Sequence, residues 1–279
     1  MKGRITFRDR RFFCIEESGE EHVLPFRVVE KPSKVPHRGH SLRLIGFSDF
    51  RVQNLDSLVR FLKSQDKPDL ILYGGDDIKR FREGGTNFFE RLADISRYGL
   101  CAIAGNDDPP DARSLITGRN VYSVHSFPLI LGGFAIVGIE GAPRFPMKDG
   151  FDKGYNRGYL LYPESILSYH VALWNKGPLD GKQLIILSHT PPYGVLDLAI
   201  RFGRRHIGSR PLREFLDASP NALLCISGHV HSQGARSEKL GDTLVVNAAS
   251  HDRLGDPGRV AMIEITNGVV SSPKWHETT

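Results

Sequence analysis

The sequence predicts an α/β protein built on a parallel β-sheet. From residue 41 onward, short apolar segments alternate with segments whose apolar residues recur at helical spacing. Strand, helix, strand, helix, strand is the order typical of parallel strands that are joined by crossover helices. Polar residues follow the apolar segments directly, and in such sheets the site residues gather beyond the carboxyl ends of the strands.

The first half of this pattern is the more regular one. Apolar segments predict buried strands at 42–47, 70–73 and 101–104, and helical spacing predicts helices at 54–64 and 87–98. Continuously apolar strands are typical of sheets that are covered on both faces.

The second half predicts further strands and two helices. A helix at 209–218 has Ser209 as a plausible N-cap. Residues 123–127, 129–131 and 134–139 are expected to be hairpin strands. The remaining predicted elements are a helix at 163–175 and strands at 184–187, 223–226, 243–246 and 260–265.

Residues 1–40 differ in composition from the rest. They are charged and interrupted by prolines, and the segments 4–7 and 12–15 predict a hairpin. We therefore predict two units: a β-rich appendage at 1–40 and a main domain at 41–279. The appendage packs on the main domain or docks a partner protein.

Composition and charge narrow the class of protein. The chain has 279 residues, 40% of them hydrophobic and 25% charged, with a net charge of +5, which is ordinary for a globular protein with one large domain or two small ones. This mild excess is compatible with a phosphate-bearing partner without requiring one, since solvated surface explains it as well. No segment approaches the roughly 20 apolar residues that a membrane-spanning helix needs, so no membrane contact is expected.

The cysteines and the N-terminus favour a reducing compartment. Cys14, Cys101 and Cys225 are an odd number with no zinc-binding spacing, so no disulfide framework is predicted. The first residues lack the apolar stretch of a signal peptide. We therefore expect a cytoplasmic protein.

Two histidines one residue apart give the first indication of a metal site. His229 and His231 follow the apolar run 222–226. In an extended chain, side chains at i and i+2 point the same way, so both imidazoles can reach one place. Alone this pair is weak evidence, because surface histidines pair by chance.

Four other polar residues occupy the same kind of position. Each of them follows a short apolar segment, with one or two residues in between. They are Asp49, Asp76, Asn106 and His189. Carboxylate, imidazole and amide oxygen are ligands that suit manganese, iron, zinc or nickel better than a thiolate-selected ion. The expected cofactor is therefore one or two divalent metal ions, with manganese favoured.

The order of these motifs resembles that of the calcineurin-like metallophosphoesterases of bacterial and archaeal type. Asp, Gly-Asp, Gly-Asn, His and Gly-His-x-His occur in that order and spacing, and the resemblance covers about residues 41–270. It implies a four-layer αββα sandwich with two metal ions held between the sheets.

The resemblance also implies a ligand set. One ion takes Asp49, Asp76 and His231. The other takes Asp76, Asn106, His189 and His229, so that Asp76 bridges. Two ions about 3.5–4 Å apart can clamp a phosphoryl group and activate a water as the nucleophile.

The first motif departs from the family pattern. Where the family has Asp-x-His, this chain has Asp49, Phe50 and Arg51. A guanidinium stays protonated and cannot coordinate a metal. The first metal is therefore expected to be weak, absent or completed by water, and Arg51 either holds a substrate phosphate by a forked hydrogen bond or forms an ordinary ion pair.

The third motif departs as well. Asp107 stands where the family has the histidine that protonates the leaving oxygen. A carboxyl group can donate that proton only if its pKa lies well above about 3.9, and near a metal and Arg51 we expect the opposite shift. Asp107 is then a metal ligand or a structural residue, and the neighbouring Asp108 is likewise open between site and structural use. His206, His125 or His251 could supply the acid instead, and His206 is the best placed by loop position.

A basic run flanks His206. It is either a solvated helix face or a rim that collects an anionic substrate. Its members are Arg201, Arg204, Arg205, Arg210 and Arg213.

These observations predict an enzyme, a metal-dependent phosphodiesterase that attacks nucleotide or nucleic-acid phosphodiesters with a metal-bound hydroxide. One alternative is a binding or scaffold protein whose site has decayed. Another is a nuclease, which predicts nucleic-acid binding that weakens steeply with salt. The mild net charge and the lack of a basic tract interleaved with aromatic residues argue weakly against a dedicated nucleic-acid groove.

Overall fold

The computed structural model describes most of the chain. The described residues are 3–8, 11–16, 21–23, 26–30, 41–51, 55–145, 156–201, 203–251, 253 and 255–278.

Twenty-one strands and four α-helices are assigned within this part of the chain. In chain order the strands are β1 (Gly3–Arg8), β2 (Arg11–Glu16), β3 (Glu21–Val23), β4 (Val29–Glu30), β5 (Ser41–Phe47), β6 (Leu70–Tyr73), β7 (Leu100–Ala102), β8 (Val121–Ser123), β9 (Leu129–Leu131), β10 (Phe134–Ile139), β11 (Ala142–Pro143), β12 (Leu161–Tyr162), β13 (Gln183–Ser188), β14 (Leu198–Ala199), β15 (Arg205–His206), β16 (Ala222–Ser227), β17 (Arg236–Leu240), β18 (Thr243–Asn247), β19 (Gly258–Thr266), β20 (Val269–Val270) and β21 (Lys274–Thr278). The helices are α1 (Leu55–Ser64), α2 (Phe88–Ile95), α3 (Glu164–Val171) and α4 (Arg210–Ala218).

Two seven-stranded sheets form the centre of the molecule. In the first, β5, β6, β7 and β8 are parallel neighbours, while β19 joins β5 in antiparallel pairing and carries β20 and β21. The second runs β17-β18-β16-β13-β10-β9-β4, and β10, β13, β16 and β18 are parallel. Both sheets therefore bring the carboxyl ends of several strands to one edge.

Successive side chains along each strand point to opposite faces of its sheet, and both faces of each sheet are covered, which gives four layers. In β5, Leu42 and Leu44 face a core that also holds residues of the second sheet, such as Ile185 and Leu224. The residues of β5 and β6 that point to the other side of the first sheet pack with α1 and α2. The far face of the second sheet packs with α3 and α4, and the fully buried Trp174 belongs to the same cluster. This arrangement is the expected αββα sandwich, because each sheet is covered on both faces.

The predicted elements of the main domain are largely confirmed. The strands at 70–73, 129–131 and 134–139 have the predicted bounds, and α1 covers the helix predicted at 54–64, of which Asn54 lies outside the described residues. In α4, the Ser209 side chain accepts a hydrogen bond from the Leu212 amide and so caps the helix as predicted.

The strand predicted at 123–127 is wrong. The strand there is β8, which ends at Ser123 and extends the first sheet in parallel. The chain then turns, and the Phe127 amide donates to the Ser123 carbonyl. The turn carries the chain from the first sheet to the second, so the apolar Val124 fills the core between the sheets rather than a strand position.

The N-terminal region has two parts. The predicted hairpin is formed by β1 and β2, and β3 extends it to a three-stranded antiparallel sheet. The short β4, by contrast, pairs with β9 of the second large sheet, and Phe26 is buried in the main core. Residues 31–40 lie outside the described part, so the boundary at residue 40 stays a prediction.

Candidate metal centre

The two sheets deliver the six predicted ligands to one edge of the sandwich. The first sheet contributes Asp49, Asp76 and Asn106 just after β5, β6 and β7. The second sheet contributes His189 after β13, and His229 and His231 after β16. These residues span 183 positions of sequence, yet all follow parallel strands whose carboxyl ends share this edge.

Left-handed backbone at three of these positions bends the chain into the site. Asp49, Asp76 and His229 have φ values of 52°, 64° and 64°. Non-glycine residues adopt this conformation rarely, and such positions concentrate at functional sites, where the surrounding structure holds them.

Two motif glycines are required by close approach. A Cβ at Gly105 would lie 1.9 Å from Asp76 Oδ1, and a Cβ at Gly228 would lie 2.2 Å from Asp49 Oδ2. Both distances are far below van der Waals contact. The Gly-Asn and Gly-His motifs therefore carry glycine because a candidate ligand's carboxylate rests against the backbone there.

Three of the side chains form a compact donor cluster. One potential ligand atom from each of Asp49, Asp76 and His189 lies within 4.8 Å of the others. All three are buried. Asn106 joins them, since its Oδ1 lies 2.8 Å from His189 Nε2.

The contact between Asn106 and His189 shows that the cluster fits a cation. His189 Nδ1 must donate to the Gly74 carbonyl, 2.8 Å away, because a carbonyl only accepts. The Asn106 Nδ2 donates to the Asp107 carboxylate and the Arg157 carbonyl, which fixes the orientation of the amide. Asn106 Oδ1 and the lone pair of neutral His189 therefore face each other, and a metal ion satisfies both.

Burial keeps these histidines in the form that binds metal. It lowers the pKa of His189, and it lowers the pKa of His229, beside His189, to about 3. Neutral imidazole is the metal-ligating state. The hydrogen bond from His189 Nδ1 to Gly74 also fixes the tautomer that presents Nε2 to the cluster.

The charged form of Asp76 is disfavoured in the metal-free site. Burial, followed by the charge of Asp49, raises the pKa of Asp76 well above its usual value. Within the described residues, no lysine or arginine forms an ion pair with Asp49 or Asp76. A divalent cation would supply the missing charge.

Asp49 also ties the two sheets together. Its Oδ2 accepts a hydrogen bond from the His229 amide at 3.0 Å, and its Oδ1 lies 3.2 Å from His231 Nε2. Oδ1 is buried and accepts no hydrogen bond of good geometry from the described residues. An atom placed between Asp49 and His231 would be ligated by both, as the first of the two predicted metals requires.

Arg51 lies at the wall of the site, held by two acids. Its Nε donates to Asp77 Oδ2 at 2.7 Å, and its Nη2 lies 3.7 Å from Asp107 Oδ2. Burial alone would lower the pKa of Arg51, but the charge and hydrogen bond of Asp77 outweigh it and raise the pKa. The fixed guanidinium borders the same cleft as Asp76.

Asp108 holds two loops of the site together, a structural role that the sequence leaves open. Its carboxylate accepts hydrogen bonds at 2.9 Å from the amides of Asp76, Ile78 and Gly105. It thus joins the loops after β6 and β7 and sets the positions of Asp76 and Asn106. Asp107, in contrast, is half exposed and borders the cleft.

The three histidines considered as substitute acids lie elsewhere. His206 borders a groove next to the cleft, where it contacts the buried Asp197. His125 stacks on His170, and His251 pairs with Glu277. In the described part of the chain, none of them lines the cleft that holds Asp76, and the acid assigned to His206 stays a prediction.

The sequence itself decides the family. The family model for calcineurin-like phosphoesterases matches residues 37–233, which is more than half of the chain and includes all six candidate ligands. This chain belongs to the calcineurin-like phosphoesterase family. No curated protein sequence matches it.

The likeness to one solved structure supports the fold of this family member. TT1561 of Thermus thermophilus matches with 18% identity and a TM-score of 0.57, covering 85% of this chain and 99% of that one. A dimetal phosphatase from Danio rerio matches with 12% identity and a TM-score of 0.49, covering 85% and 99%. GAP50, the anchor in the inner membrane complex of Plasmodium, matches with 12% identity and a TM-score of 0.48, covering 86% and 89%. At these identities the likeness concerns the fold, and the substrate must be inferred from the site. Among the described residues of this phosphoesterase, no helix is long and apolar enough to span a membrane.

Proposed function

We propose that this phosphoesterase is a metal-dependent phosphodiesterase whose substrates are nucleotide or nucleic-acid phosphodiesters. One observation carries the proposal. The acceptor atoms of Asn106 and His189 face each other beside the carboxylates of Asp49 and Asp76, in a cleft bordered by Arg51. This donor set suits manganese, with iron, zinc and nickel as alternatives.

The candidate ligands divide into two groups around Asp76. The resemblance implies that Asn106, His189 and His229 form one group and that Asp49 and His231 form the other. Bound metal ions would supply charge for the phosphoryl oxygens and an acidified water. The group of Asn106, His189 and His229 is expected to bind its ion more tightly. The other group lacks one histidine ligand, because Arg51 occupies that position.

Arg51 has the geometry of a phosphate-orienting residue. Its Nε and Nη2 are directed towards Asp77 and Asp107, so the guanidinium plane is fixed before substrate arrives. A planar, fixed cation at the wall of the cleft can hold a non-bridging phosphate oxygen and stabilise the charge that develops during hydrolysis.

A phosphodiester suits a site without the usual histidine acid. Asp107 occupies that position, is half exposed and lies 3.7 Å from Arg51. Nucleotide leaving groups need less protonation than simple alkoxides. The reaction is expected in the cytoplasm, the compartment favoured by the free cysteines Cys101 and Cys225.

The test is an assay on chromogenic esters. Metal-free protein is supplied with manganese and tested on bis-p-nitrophenyl phosphate and p-nitrophenyl phosphate. We expect turnover that needs the metal, prefers the diester and vanishes in Asp76→Ala and His229→Ala. Tight metal uptake without turnover on either ester, with each of the four metals, would instead support the binding or scaffold alternative.

A further inference from the structure

A second groove adjoins the metal cleft and is built from basic and aromatic side chains. It is lined by Arg144, Phe145, Pro163, Glu164, Tyr193, Arg204, Arg205, His206 and Arg210. We call these residues the basic groove. The described residues that line it include four arginines and one glutamate, so its surface is strongly positive.

The groove is preformed by its own contacts. The guanidinium of Arg210 lies 3.9 Å from the centroid of the Tyr193 ring, and that of Arg205 lies 5.0 Å from the centroid of Phe145. These cation–π contacts hold arginines flat on aromatic surfaces. Glu164 lies 3.7 Å from Arg210, at the rim, and offsets part of the charge.

Asp197 lies beneath the groove and holds His206 in place on one side of it. Asp197 is buried, and its Oδ2 accepts hydrogen bonds from the amides of Gly194 and Gly208 at 3.0 and 2.9 Å. Its Oδ1 accepts from His206 Nδ1 at 2.6 Å. Since Nδ1 is engaged below, the half-exposed imidazole presents its other nitrogen to the groove.

The basic groove and the metal cleft share one wall. Ala199 in β14 lines the cleft, and its pairing partner Arg205 in β15 lines the groove. Ile207 lines the cleft directly after His206, and Phe145 packs on Ile207. Arg157 and Arg201 continue the positive charge along the cleft itself.

We propose that the basic groove binds a single strand of nucleic acid whose scissile phosphodiester lies in the metal cleft. This inference rests on the proposed function and names its substrate class. Arginines bind successive phosphates, and aromatic rings and flat guanidinium groups accept stacked bases, which is how strands are bound without sequence preference. A site for a mononucleotide alone would not require a second cluster of arginines beyond the cleft.

Binding is tested apart from catalysis. A fluorescent single-stranded DNA 20-mer is titrated with the full chain in EDTA, so that no strand is cut, at several salt concentrations. We expect log affinity to fall linearly with log salt, by about 0.7 for each phosphate contact. The double variant Arg144→Gln/Arg204→Gln, which changes two exposed side chains, should bind about tenfold more weakly and lower the slope by about 1.4.

The matched control is Arg60→Gln/Lys63→Gln. It removes the same charge from α1, on the outer face of the first sheet, and should change affinity less than twofold. Absent binding, binding insensitive to salt, or equal losses in both double variants would overturn the proposal. Thermal melts of each variant establish that the fold is retained.

A competitor separates a nucleic-acid strand from small polyphosphates. Unlabelled strand should displace the probe, and inorganic tripolyphosphate at the same phosphate concentration should displace it poorly. Equal displacement would mean that the groove takes any polyphosphate, against the proposal. Turnover of bis-p-nitrophenyl phosphate by the wild type reports on the proposed function separately, since that ester is too small to span both sites.

Discussion

Two buried clusters of carboxylates and imidazoles lie at strand ends of this phosphoesterase, and they are neutralised differently. In the metal centre, Asp49 and Asp76 have no arginine or lysine in ion-pairing contact within the described residues. In the second cluster, Glu140 follows β10 just as the ligands follow their strands. Its Oε1, however, lies 2.5 Å from Arg113 Nη2 and accepts a hydrogen bond from Tyr162 at 2.8 Å.

The difference separates a metal site from a structural cluster. Near Glu140, the stacked rings of His125 and His170 are held neutral, because burial lowers the pKa of each to about 3. Arg113 provides the positive charge, so this cluster needs no ion. Position at a strand end is thus insufficient evidence for a ligand, and the presence of a built-in cation decides which role a carboxylate has.

The largest expected effect contrasts a substitution in each cluster. Asp76→Asn should lower manganese-dependent kcat/KM on bis-p-nitrophenyl phosphate by more than about 100-fold, beyond the losses typical of residues that only support ligands. It should also stabilise the metal-free protein by about 1 kcal/mol, because it removes a buried charge that Asp49 disfavours. Kinetics and urea unfolding in EDTA measure both. Glu140→Gln is the control and should keep its turnover. Equal activity of Asp76→Asn and wild type would remove the distinction between the clusters.

Removing the built-in cation is the next test. Arg113→Met leaves Glu140 without its charge partner and should lower the unfolding free energy by about 2 kcal/mol at pH 8, less than for a fully buried pair because Arg113 is 42% exposed. Burial raises the pKa of Glu140, so the protonated form contributes stability below the unfolded pKa of about 4.3, which is lost as pH rises. The deficit should therefore shrink at pH 5. Arg119→Met, whose ion pair is exposed, should cost less than about 0.5 kcal/mol.

A smaller effect tests the cation at the metal cleft. Arg51→Gln should lower kcat/KM on the diester by about tenfold, because one phosphate contact is lost, while metal content is retained. Parallel steady-state kinetics and metal analysis distinguish this role from a structural one. If the variant loses metal in proportion to activity, Arg51 organises the ligands and does not contact the phosphate.

The last prediction concerns pH and the stacked imidazoles. The folded pKa of His170 is about 3, below its unfolded value, so its contribution to stability is complete above about pH 6.5 and is lost as pH falls. His170→Phe keeps an aromatic ring beside Phe26 and cannot take up a proton. Between pH 6.5 and 4, the unfolding free energy of this variant should fall less steeply than that of the wild type. The two slopes should differ by up to about 1.4 kcal/mol per pH unit. Identical slopes of unfolding free energy against pH in the variant and the wild type would show that the pKa of His170 does not change on unfolding.

The strand ends that carry the candidate ligands can be predicted from the sequence, because the signal is local. Each strand is a short apolar run, and the polar residues that follow it mark its carboxyl end. This pattern predicts that Asp49, Asp76, Asn106 and His189 lie close together, and the structure brings them to one edge of the sandwich. The glycines of the motifs follow from contacts of Gly105 and Gly228 that only the structure shows.

Other features depend on long-range contacts that the sequence does not encode locally. The sequence leaves Asp108 open between site and structural use, since nothing near it in sequence shows that its carboxylate accepts hydrogen bonds from three amides. Glu140 was passed over, although its strand-end position was a usable signal. The basic groove is predicted only in part. Arg204, Arg205 and Arg210 belong to the basic run that flanks His206, whereas Arg144, Phe145 and Tyr193 come from distant segments that form no continuous tract with it.

The most direct measurement is the metal content of each chain. Purified protein is stripped, loaded with manganese, desalted and analysed by inductively coupled plasma mass spectrometry, beside His189→Ala and Glu140→Gln. We expect about one to two ions per chain in the wild type and in Glu140→Gln, and a clear loss in His189→Ala. Wild-type protein that retains no ion, or equal retention by His189→Ala, would contradict the claim that Asp76 and its neighbours form a metal centre.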